Sequence, residues 1–575
     1  MLPTARFCAT YRSVSVILCW LVVLLAGPAC AEENDESAEQ ESFFGEVVDV
    51  NLVNVEVYVT DKQGHRISGL TKDDFVLEVD KTPVAITNFY AVENGRPVGV
   101  DAHAVVETLD RPDLPTPGRR LEAEDSRPED QQLHLIVYID NFNLKPFSRN
   151  RVLRNTRTWL RQNVQLGDKV MLVTYERSLH VRHPFTRDPE LIANATYELE
   201  DISAHRIHYE SERRQIMDEI YNDAENAQSI YGRVRQYAES ISNDMAFTLD
   251  ALKDQVDSLA GLPGRKAILY VSEGLPWSPA EDAFHAVAQQ FDQTSVLMET
   301  HRFDLNRKYQ ALISTANANR VTFYTIDAAG LRTYTYMDAA NQTAGGGANI
   351  DQIHFSNMQN TLRFLAEETG GIAMLNTNNF LPMMERMGDD FRSYYSLGFP
   401  AVGRSGRYHR IRVRLKEDRK GVRLRYREGF RDKPVNARMT EATLAALHYG
   451  YQKNELGVEL QATKATRQED GQYLVPLVVS IPIGQLALLP QEGMHRGRVK
   501  LFVAAKDLDG GVAPVQEVPV PIDIPASDIE QAKGQYYQYT LTMLMRKGRQ
   551  VVSVTARDEI GATVGVVSTS VGVGV

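Results

Sequence analysis

The chain has 575 residues, and its 63 basic and 75 acidic side chains give a formal net charge of −12. Hydrophobic residues make up 43% and charged residues 24%, as in an ordinary globular protein. The length predicts roughly three or four domains. The acidic balance excludes a general electrostatic attraction to nucleic acid or anionic lipid, although it leaves room for a local basic patch.

The first 31 residues have the pattern of a secretory signal peptide. Arg6 and Arg12 precede an apolar run over 14–26, and Ala29-Cys30-Ala31 places small residues where such peptides are cleaved. The run is shorter than the roughly 20 apolar residues that span a bilayer, so a retained anchor is the minor alternative. We expect an exported protein of the periplasm, cell envelope or extracellular space, with no membrane span after signal removal.

The cysteines support this interpretation. All three, Cys8, Cys19 and Cys30, lie within the predicted signal peptide. A mature chain without cysteine has no disulfides, no thiolate metal sites and no cysteine nucleophile.

The N-terminal third divides by composition. Residues 32–45 are acidic and polar and are predicted to be disordered. Residues 46–95 alternate apolar and polar side chains between turn signals, which predicts a small β-sandwich-like domain. Residues 96–130 are rich in proline, arginine and acids without periodicity, and we interpret them as a linker.

Residues 131–400 alternate buried strands with helical patterns. This order is typical of an α/β doubly wound, mainly parallel sheet. Acidic residues follow several of the strands, at the edge where such sheets bind ligands. The predicted strands are 133–139, 169–175, 267–271, 321–326 and 371–375.

A long insertion at 200–262 interrupts this alternation. Its apolar residues recur in steps of three and four, so it is predicted to be strongly helical. One alternative is a single continuous helix, and the other is a hairpin folded at Gly232. In either form the insertion packs across its own domain or projects as an arm that binds a partner.

The C-terminal part returns to strands. Residues 401–435 are predicted to be a β-strand extension, in which Arg410, Arg412 and Arg414 share one face. A solvated face is the favoured interpretation, and an anionic partner is the alternative. Residues 436–575 begin with a short helix and continue as strands and turns, which predicts a C-terminal β-sandwich-like domain of immunoglobulin-like size.

Five groups of segments carry a family resemblance through their order along the chain. They are 53–55 with 69–75, 262–274, 323–328, 365–371 and 392–398. Together they resemble a family of bacterial exported proteins described as von Willebrand factor A-related and common in acidobacteria. The resemblance covers about residues 46–430 and implies a Rossmann-type, von Willebrand A-like core.

The broader von Willebrand A family implies a metal-ion-dependent adhesion site. In that family an Asp-x-Ser-x-Ser loop, a threonine and a further acid supply hard oxygen ligands for Mg²⁺. In this chain Asp140 matches the first aspartate, but Phe142 and Leu144 stand at the two serine positions and cannot ligate a metal. Thr186 is the counterpart of the threonine, and Glu273 occupies the position of the further acid.

Two interpretations of this site remain at the sequence level. In one, Asn141 or Asn143 replaces a serine as a carbonyl ligand, and Mg²⁺ binds to Asp140, Asn143, Thr186 and Glu273. In the other, Asp140 is a structural carboxylate held by backbone N–H groups, and the adhesion site is degenerate. The second is favoured because two hydroxyl ligands are missing.

The leading functional hypothesis is a non-enzymatic protein-binding or scaffold protein without a cofactor, and Mg²⁺ is the alternative if the metal site is intact. Its protein partner is expected at the top of the parallel sheet or at the helical insertion. No serine, histidine and carboxylate set stands out in the sequence. The alternatives are an envelope-acting hydrolase with an unrecognised site and an assembly subunit that uses the helical insertion.

Overall fold

The computed structural model describes residues 52–98, 131–164, 167–203, 206–222, 227–332, 348–401, 406–417, 419–508 and 510–574. The predicted signal peptide, the predicted acidic segment and most of the predicted linker lie outside these ranges. The chain separates into two compact units at Pro434 and Val435. Within the described ranges, every helix is too short or too polar to cross a bilayer.

Alternating valines make the first strand of a β-sandwich. Val53, Val55, Val57 and Val59 are all buried, because side chains at every second position of a strand share one face. A two-residue turn at Asp80 and Lys81, both with positive φ, joins the second and third strands. The strands are β1 Leu52–Thr60, β2 Phe75–Val79, β3 Thr82–Val84, β4 Asn88–Glu93 and β5 Arg96–Val98.

The α/β domain is built on a six-stranded sheet. Its strands and helices are β6 Leu133–Ile139, α1 Pro146–Asn163, β7 Lys169–Tyr175, β8 Leu179–Thr186, α2 Pro189–Glu198, α3 Arg206–Asn222, α4 Ala227–Ser258, β9 Arg265–Ser272, α5 Glu281–Gln290, α6 Asn306–Ala318, β10 Val321–Asp327, α7 Ala348–Glu368, β11 Ala373–Met374 and α8 Leu381–Arg392.

The order of these strands is that of a doubly wound sheet. The order is β11-β10-β9-β6-β7-β8, and every pair is parallel except β7 with β8. Counted along this domain, the order is 3-2-1-4-5-6 with an antiparallel edge strand. The strands β6 and β9 are buried over their whole length, because helices cover both faces of the sheet.

The strands after the α/β domain complete the N-terminal sandwich. They are β12 Tyr394–Pro400, β13 Tyr408–Leu415, β14 Arg423–Arg425 and β15 Gly429–Arg431. The two sheets have the orders β14-β1-β12-β4-β5 and β15-β13-β2-β3. β12 lies between β1 and β4 and places Tyr395, Leu397 and Phe399 in the same core as the valines of β1.

This pairing changes three predicted boundaries. The 46–95 domain and the 401–435 extension are parts of one sandwich, and β12 belongs to that sandwich and not to the α/β domain. Residues 96–98, predicted as linker, are β5. Period-two patterns reveal a strand but not its partner, so the sequence did not show that the α/β domain is inserted into the sandwich.

The predicted insertion is a helical hairpin packed on its own domain. It consists of α3, which ends at Asn222, and α4, which begins at Ala227, and Gly232 lies inside α4. An ion pair from Arg233 to Glu219 (2.9 Å) links the two helices. The projecting-arm alternative is wrong, because α4 packs along α6 and α3 packs against α5.

The C-terminal unit has the predicted β-sandwich form. A six-stranded sheet contains β16, β20, β21, β22, β24 and β25, and a second sheet contains β17, β18, β19 and β23. The elements are α9 Val435–Tyr449, β16 Lys453–Asn454, β17 Glu459–Ala462, β18 Thr466–Arg467, β19 Tyr473–Pro482, β20 Leu489–Gln491, β21 Met494–Lys506, β22 Gln516–Pro525, α10 Ile529–Ala532, β23 Tyr536–Met545, β24 Gly548–Asp558 and β25 Val564–Val573.

Candidate functional site

Three carboxylates meet where neighbouring parallel strands end. Ile139 pairs with Val271, and Ser272 pairs with Asp327, so the ends of β6, β9 and β10 lie side by side. Asp140, Glu273 and Asp327 therefore lie at one edge of the sheet, and all three are buried. We call this the carboxyl edge, defined by residues 140–147, 273–277 and 327–332.

The carboxylate of Asp140 is fully occupied by donors of the chain itself. Tyr270 Oη (2.5 Å) and Ser272 Oγ (3.2 Å) donate to Oδ2. Asn143 donates through its backbone N to Oδ1 (3.2 Å) and through Nδ2 to both oxygens (3.1 and 3.0 Å). Burial outweighs these donors and raises the pKa of Asp140 to about 6, which leaves the group ionised at neutral pH.

Two cations from different elements lie near the carboxylate of Glu273, and one of them, Lys145, also pairs with Glu210 (2.6 Å). Its Oε1 accepts from the backbone N of Lys145 (3.0 Å), and its Oε2 lies 3.8 Å from Lys145 Nζ. Arg206, the first residue of α3, places Nε 3.7 Å from the same Oε2 and donates from Nη1 to the carbonyl oxygen of Gly274 (3.1 Å). The helical insertion thus supplies a cation to the carboxyl edge.

Asp327 has its own arginine. Arg332 Nη2 donates to both carboxylate oxygens (2.8 and 3.0 Å), and Gln359 Nε2 donates to Oδ2 (2.8 Å). The backbone N of Ala329 donates to Oδ1 (3.1 Å). Sequence analysis did not identify Arg206 or Arg332 as site residues, because nothing local in the sequence ties either one to an acid on another strand end.

Thr186 lies at the other end of the strands from the carboxyl edge, beside the start of β7, so its assignment as a metal ligand is wrong. It ends β8, an antiparallel strand that the sequence did not predict, and it pairs with Val170 at the start of β7. Asp140 follows Ile139, which pairs with Thr174 at the other end of β7. The step from Val170 to Thr174 is roughly 13 Å at about 3.3 Å per residue.

The remaining predicted ligands are bonded to other groups of the chain or belong to its core. The amide of Asn143 is directed at Asp140, and the carboxylates of Asp140 and Glu273 are bonded to the chain's own donors. Leu144 is fully buried in the core, and Phe142 packs against Tyr175 with 6.3 Å between ring centroids. Apolar groups and bonded carboxylates do not suit a hard cation that requires free oxygen ligands.

Exposed apolar side chains stand beside the cations of this edge. Phe147 is 74% exposed, Ile207 59% and Leu331 63%. Each lies within two residues of a cation that neutralises an edge carboxylate, namely Lys145, Arg206 or Arg332. Large exposed apolar side chains beside such a site are candidates for an interaction surface.

Comparison with known proteins does not assign this chain to a family. No family model matches the chain, and no curated protein matches it. The mixed sheet with its helices and antiparallel sheets is compatible with a von Willebrand A-like core flanked by β domains. The proposed membership of an acidobacterial family stays a prediction.

Similar solved structures include three from bacteria. A von Willebrand factor type A protein from Catenulispora acidiphila has 8% identity and a TM-score of 0.20, with 77% of this chain and 66% of that chain covered. BatB from Bacteroides thetaiotaomicron has 11% identity and a TM-score of 0.22, covering 45% of this chain and 96% of its own. An aerotolerance-related membrane protein from Bacteroides fragilis has 9% identity and a TM-score of 0.21, covering 45% and 98%. Likenesses this weak assign no function.

Proposed function

We propose that this chain is an exported, non-enzymatic protein-binding or scaffold protein whose carboxyl edge contacts a protein partner without a divalent metal. One observation carries the proposal. Each buried carboxylate of the edge is bonded to the chain's own donors, while apolar side chains next to the neutralising cations stand in solvent. The adhesion site of the broader family is thus proposed to be degenerate in its metal chemistry and retained as a contact surface.

The apolar side chains supply the binding energy in this proposal. Burying one large apolar side chain against a partner contributes about 1.5–3 kcal/mol. Three such groups, Phe147, Ile207 and Leu331, give a contact that does not depend on coordination chemistry. Phe142 and Leu144, which stand at the family's two serine positions, are compatible with this mode, because no cation has to be held there.

Arg151 connects two segments of the carboxyl edge. Arg151 on α1 donates from Nη2 to the carbonyl oxygens of Ala328 (2.7 Å) and Ala329 (3.0 Å), and its guanidinium lies 5.9 Å from the ring centroid of Phe147. Arg151 Nη1 also donates to Asn378 Oδ1 (2.9 Å). These bonds fix the loop after β10 beside the start of α1, so less conformational entropy is lost on binding.

Calorimetric titration of the mature chain with Mg²⁺ and with Mn²⁺ tests the metal part of the proposal. We expect no saturable heat, because the candidate ligands are already bonded within the chain. Asp140→Ala is the matched variant. Saturable binding by the wild type that this substitution abolishes would overturn the degenerate-site proposal.

Partner capture from envelope extracts tests the surface. We expect retained proteins to be unaffected by a chelator and lost from the triple variant Phe147→Ser, Ile207→Ser, Leu331→Ser. The control is Phe247→Ser, which removes a 66% exposed aromatic ring from α4. Loss of the partner in chelator, or equal loss with Phe247→Ser, contradicts binding through the carboxyl edge.

A further inference from the structure

A cleft lies between the α/β domain and the sandwich into which it is inserted. It has a volume of about 450 Å³ and is formed by the turn after β1 together with α7, α8 and β14. This is within the size range of small-molecule sites, which is about 300–1,000 Å³. We call it the basic cleft after its six cationic side chains, Lys62, Arg66, Arg363, Arg386, Arg423 and Arg425.

The positive charge of the cleft is only partly balanced. Four acidic side chains also line it, so the positive groups exceed the negative groups by two. The formal charge of the whole chain is −12, so a local excess of positive groups runs against the overall balance. A concave site lined by one sign of charge concentrates ligands of the opposite sign.

At the floor of the cleft, two arginines are bonded to the same carboxylate. Asp390 is buried and accepts from Arg425 Nη2 (2.7 Å), Arg425 Nη1 (2.9 Å) and Tyr324 Oη (3.0 Å). Arg66 forms an ion pair with the same carboxylate. Both guanidiniums lie 5.2 Å from the ring centroid of Tyr58, which fixes them beside each other. Two cations held by one anion leave a net positive centre.

Donors in this cleft are left without acceptors. Arg66 Nη1 is buried and has no hydrogen-bond partner among the described residues. Nearly all buried donors in proteins are bonded, so such an atom calls for an explanation. At the rim, the side chains of Lys62 and Arg423 are exposed. Neither of them forms a hydrogen bond or an ion pair with the described part of the chain. Arg386 makes one bond, to the carbonyl oxygen of Gln63 (3.1 Å).

We propose that the basic cleft binds a compact dianion that carries phosphate or carboxylate oxygens. Planar guanidiniums donate in pairs to such oxygens, and Lys62 adds a point charge at the rim. Two negative charges equal the excess of positive groups, and the cleft volume accommodates a small organic phosphate or dicarboxylate. This site is separate from the carboxyl edge and does not depend on the function proposed for that edge.

Calorimetric titration of the mature chain with inorganic phosphate and with succinate, at constant ionic strength, tests the site. We expect saturable binding of at least one anion, weakened about tenfold by Arg423→Ala and by Lys62→Ala. The control is Arg412→Ala, which removes the same charge from an exposed position on β13 outside the cleft and is expected to leave binding unchanged. Unchanged thermal unfolding midpoints establish that each variant is folded.

The two anions distinguish the chemistry of the ligand. Tighter binding of phosphate indicates a phosphate-bearing ligand, and tighter binding of succinate indicates a dicarboxylate. Absence of saturable heat for both anions up to about 10 mM overturns the proposal, since such a site would be too weak to be specific. Equal weakening by Arg412→Ala overturns it as well, because the attraction would then be a property of overall charge.

Discussion

Arg206 Nε lies 3.7 Å from Glu273 Oε2, and both side chains are buried. The arginine begins the helical hairpin, whereas the glutamate follows the central strand β9. The contact ties the insertion to the edge where the sheet's carboxylates converge. It gives the hairpin a role in charge balance at the candidate site as well as a place in the packing of its domain.

Replacing Arg206 by methionine should destabilise the chain. The substitution leaves the carboxylate of Glu273 buried with only Lys145 as a counterion, and breaking one side of a buried ion pair costs about 3 kcal/mol. Urea unfolding of the wild type and the variant measures the change. Arg214→Met, at an exposed position of α3, is the control and should cost less than about 0.5 kcal/mol. Equal stabilities of the Arg206 variant and the wild type would contradict the proposed charge balance.

The buried carboxyl of Asp140 should make stability depend on mildly acidic pH. Its pKa in the folded chain is about 6, above the usual 3.8, so the folded state binds the proton more tightly than the unfolded state. Stability from this group therefore rises as pH falls from about 6 towards 4, by about 2 kcal/mol at pH ~4.5 relative to neutral pH.

Asp140→Asn removes this titration. The difference in unfolding free energy between wild type and variant should widen, in favour of the wild type, when pH is lowered from about 7 to about 4.5. Urea unfolding at both pH values measures it. A difference that is the same at the two pH values would mean that burial does not raise the pKa of this group.

The ion pair between Asp282 and Arg213 should give stability the opposite dependence on pH from that of Asp140. Arg213 Nε donates to Asp282 Oδ2 (2.6 Å), and His354 Nδ1 lies 3.3 Å from the same oxygen. Burial raises the pKa of Asp282, but Arg213 and His354 together outweigh it and hold that pKa well below the usual 3.8. The stability contributed by Asp282 is present above pH 3.8 and is lost as pH falls towards the lower, folded-state pKa.

Asp282→Asn should cost about 3 kcal/mol at neutral pH, because the buried guanidinium of Arg213 loses its shorter ion pair and keeps only Asp351 at 3.6 Å. The cost should shrink below about pH 3.8, where the unfolded wild type takes up a proton that the folded one resists. Urea unfolding at neutral pH and at about pH 3 tests both statements. Asp218→Asn, on the exposed face of α3, is the matched control and should show neither effect.

Replacing glycine by alanine should have opposite effects on stability at two positions. Gly274 follows β9 with φ +93°, and a Cβ there would lie 2.6 Å from the carbonyl oxygen of Met358 on α7. Gly274→Ala should therefore destabilise the chain by about 2 kcal/mol or more. Gly232 lies within α4 with open space around it, so Gly232→Ala should stabilise by about 0.5–1 kcal/mol. Thermal unfolding of both variants measures the two shifts, and shifts of the same sign would contradict this geometry.

The sequence revealed strands that are buried on both faces and missed one that is exposed. β6 and β7 begin and end at the predicted residues because each is a continuous apolar run. β8 is the edge strand of the sheet and has no buried residue. Its apolar, basic and polar side chains follow no period of two, so no pattern marks it as a strand. The error over Thr186 followed from that gap, because a residue on an unrecognised antiparallel strand was placed at the wrong edge.

The site itself was visible only in part. Asp140 and Glu273 were found because they follow apolar strands, and the position of an acid after a strand is a local signal. Arg206 lies 3.7 Å from Glu273 but far from it in sequence, at the start of a helix whose pattern shows only which face packs. Contacts of this kind depend on how the insertion folds back, and one sequence carries no measure of that.

The position of β12 has a consequence for how the chain is made. A ribosome adds β1 and β4 before β12, the strand that separates them, and some 300 residues lie between the end of β4 and the start of β12. At about 5–20 residues per second, the two strands wait roughly 15–60 s for their shared neighbour. During that interval both have unpaired edges and valine-rich faces, the state in which nascent β-sheets aggregate most easily. The N-terminal strands therefore need protection from aggregation until β12 has been made.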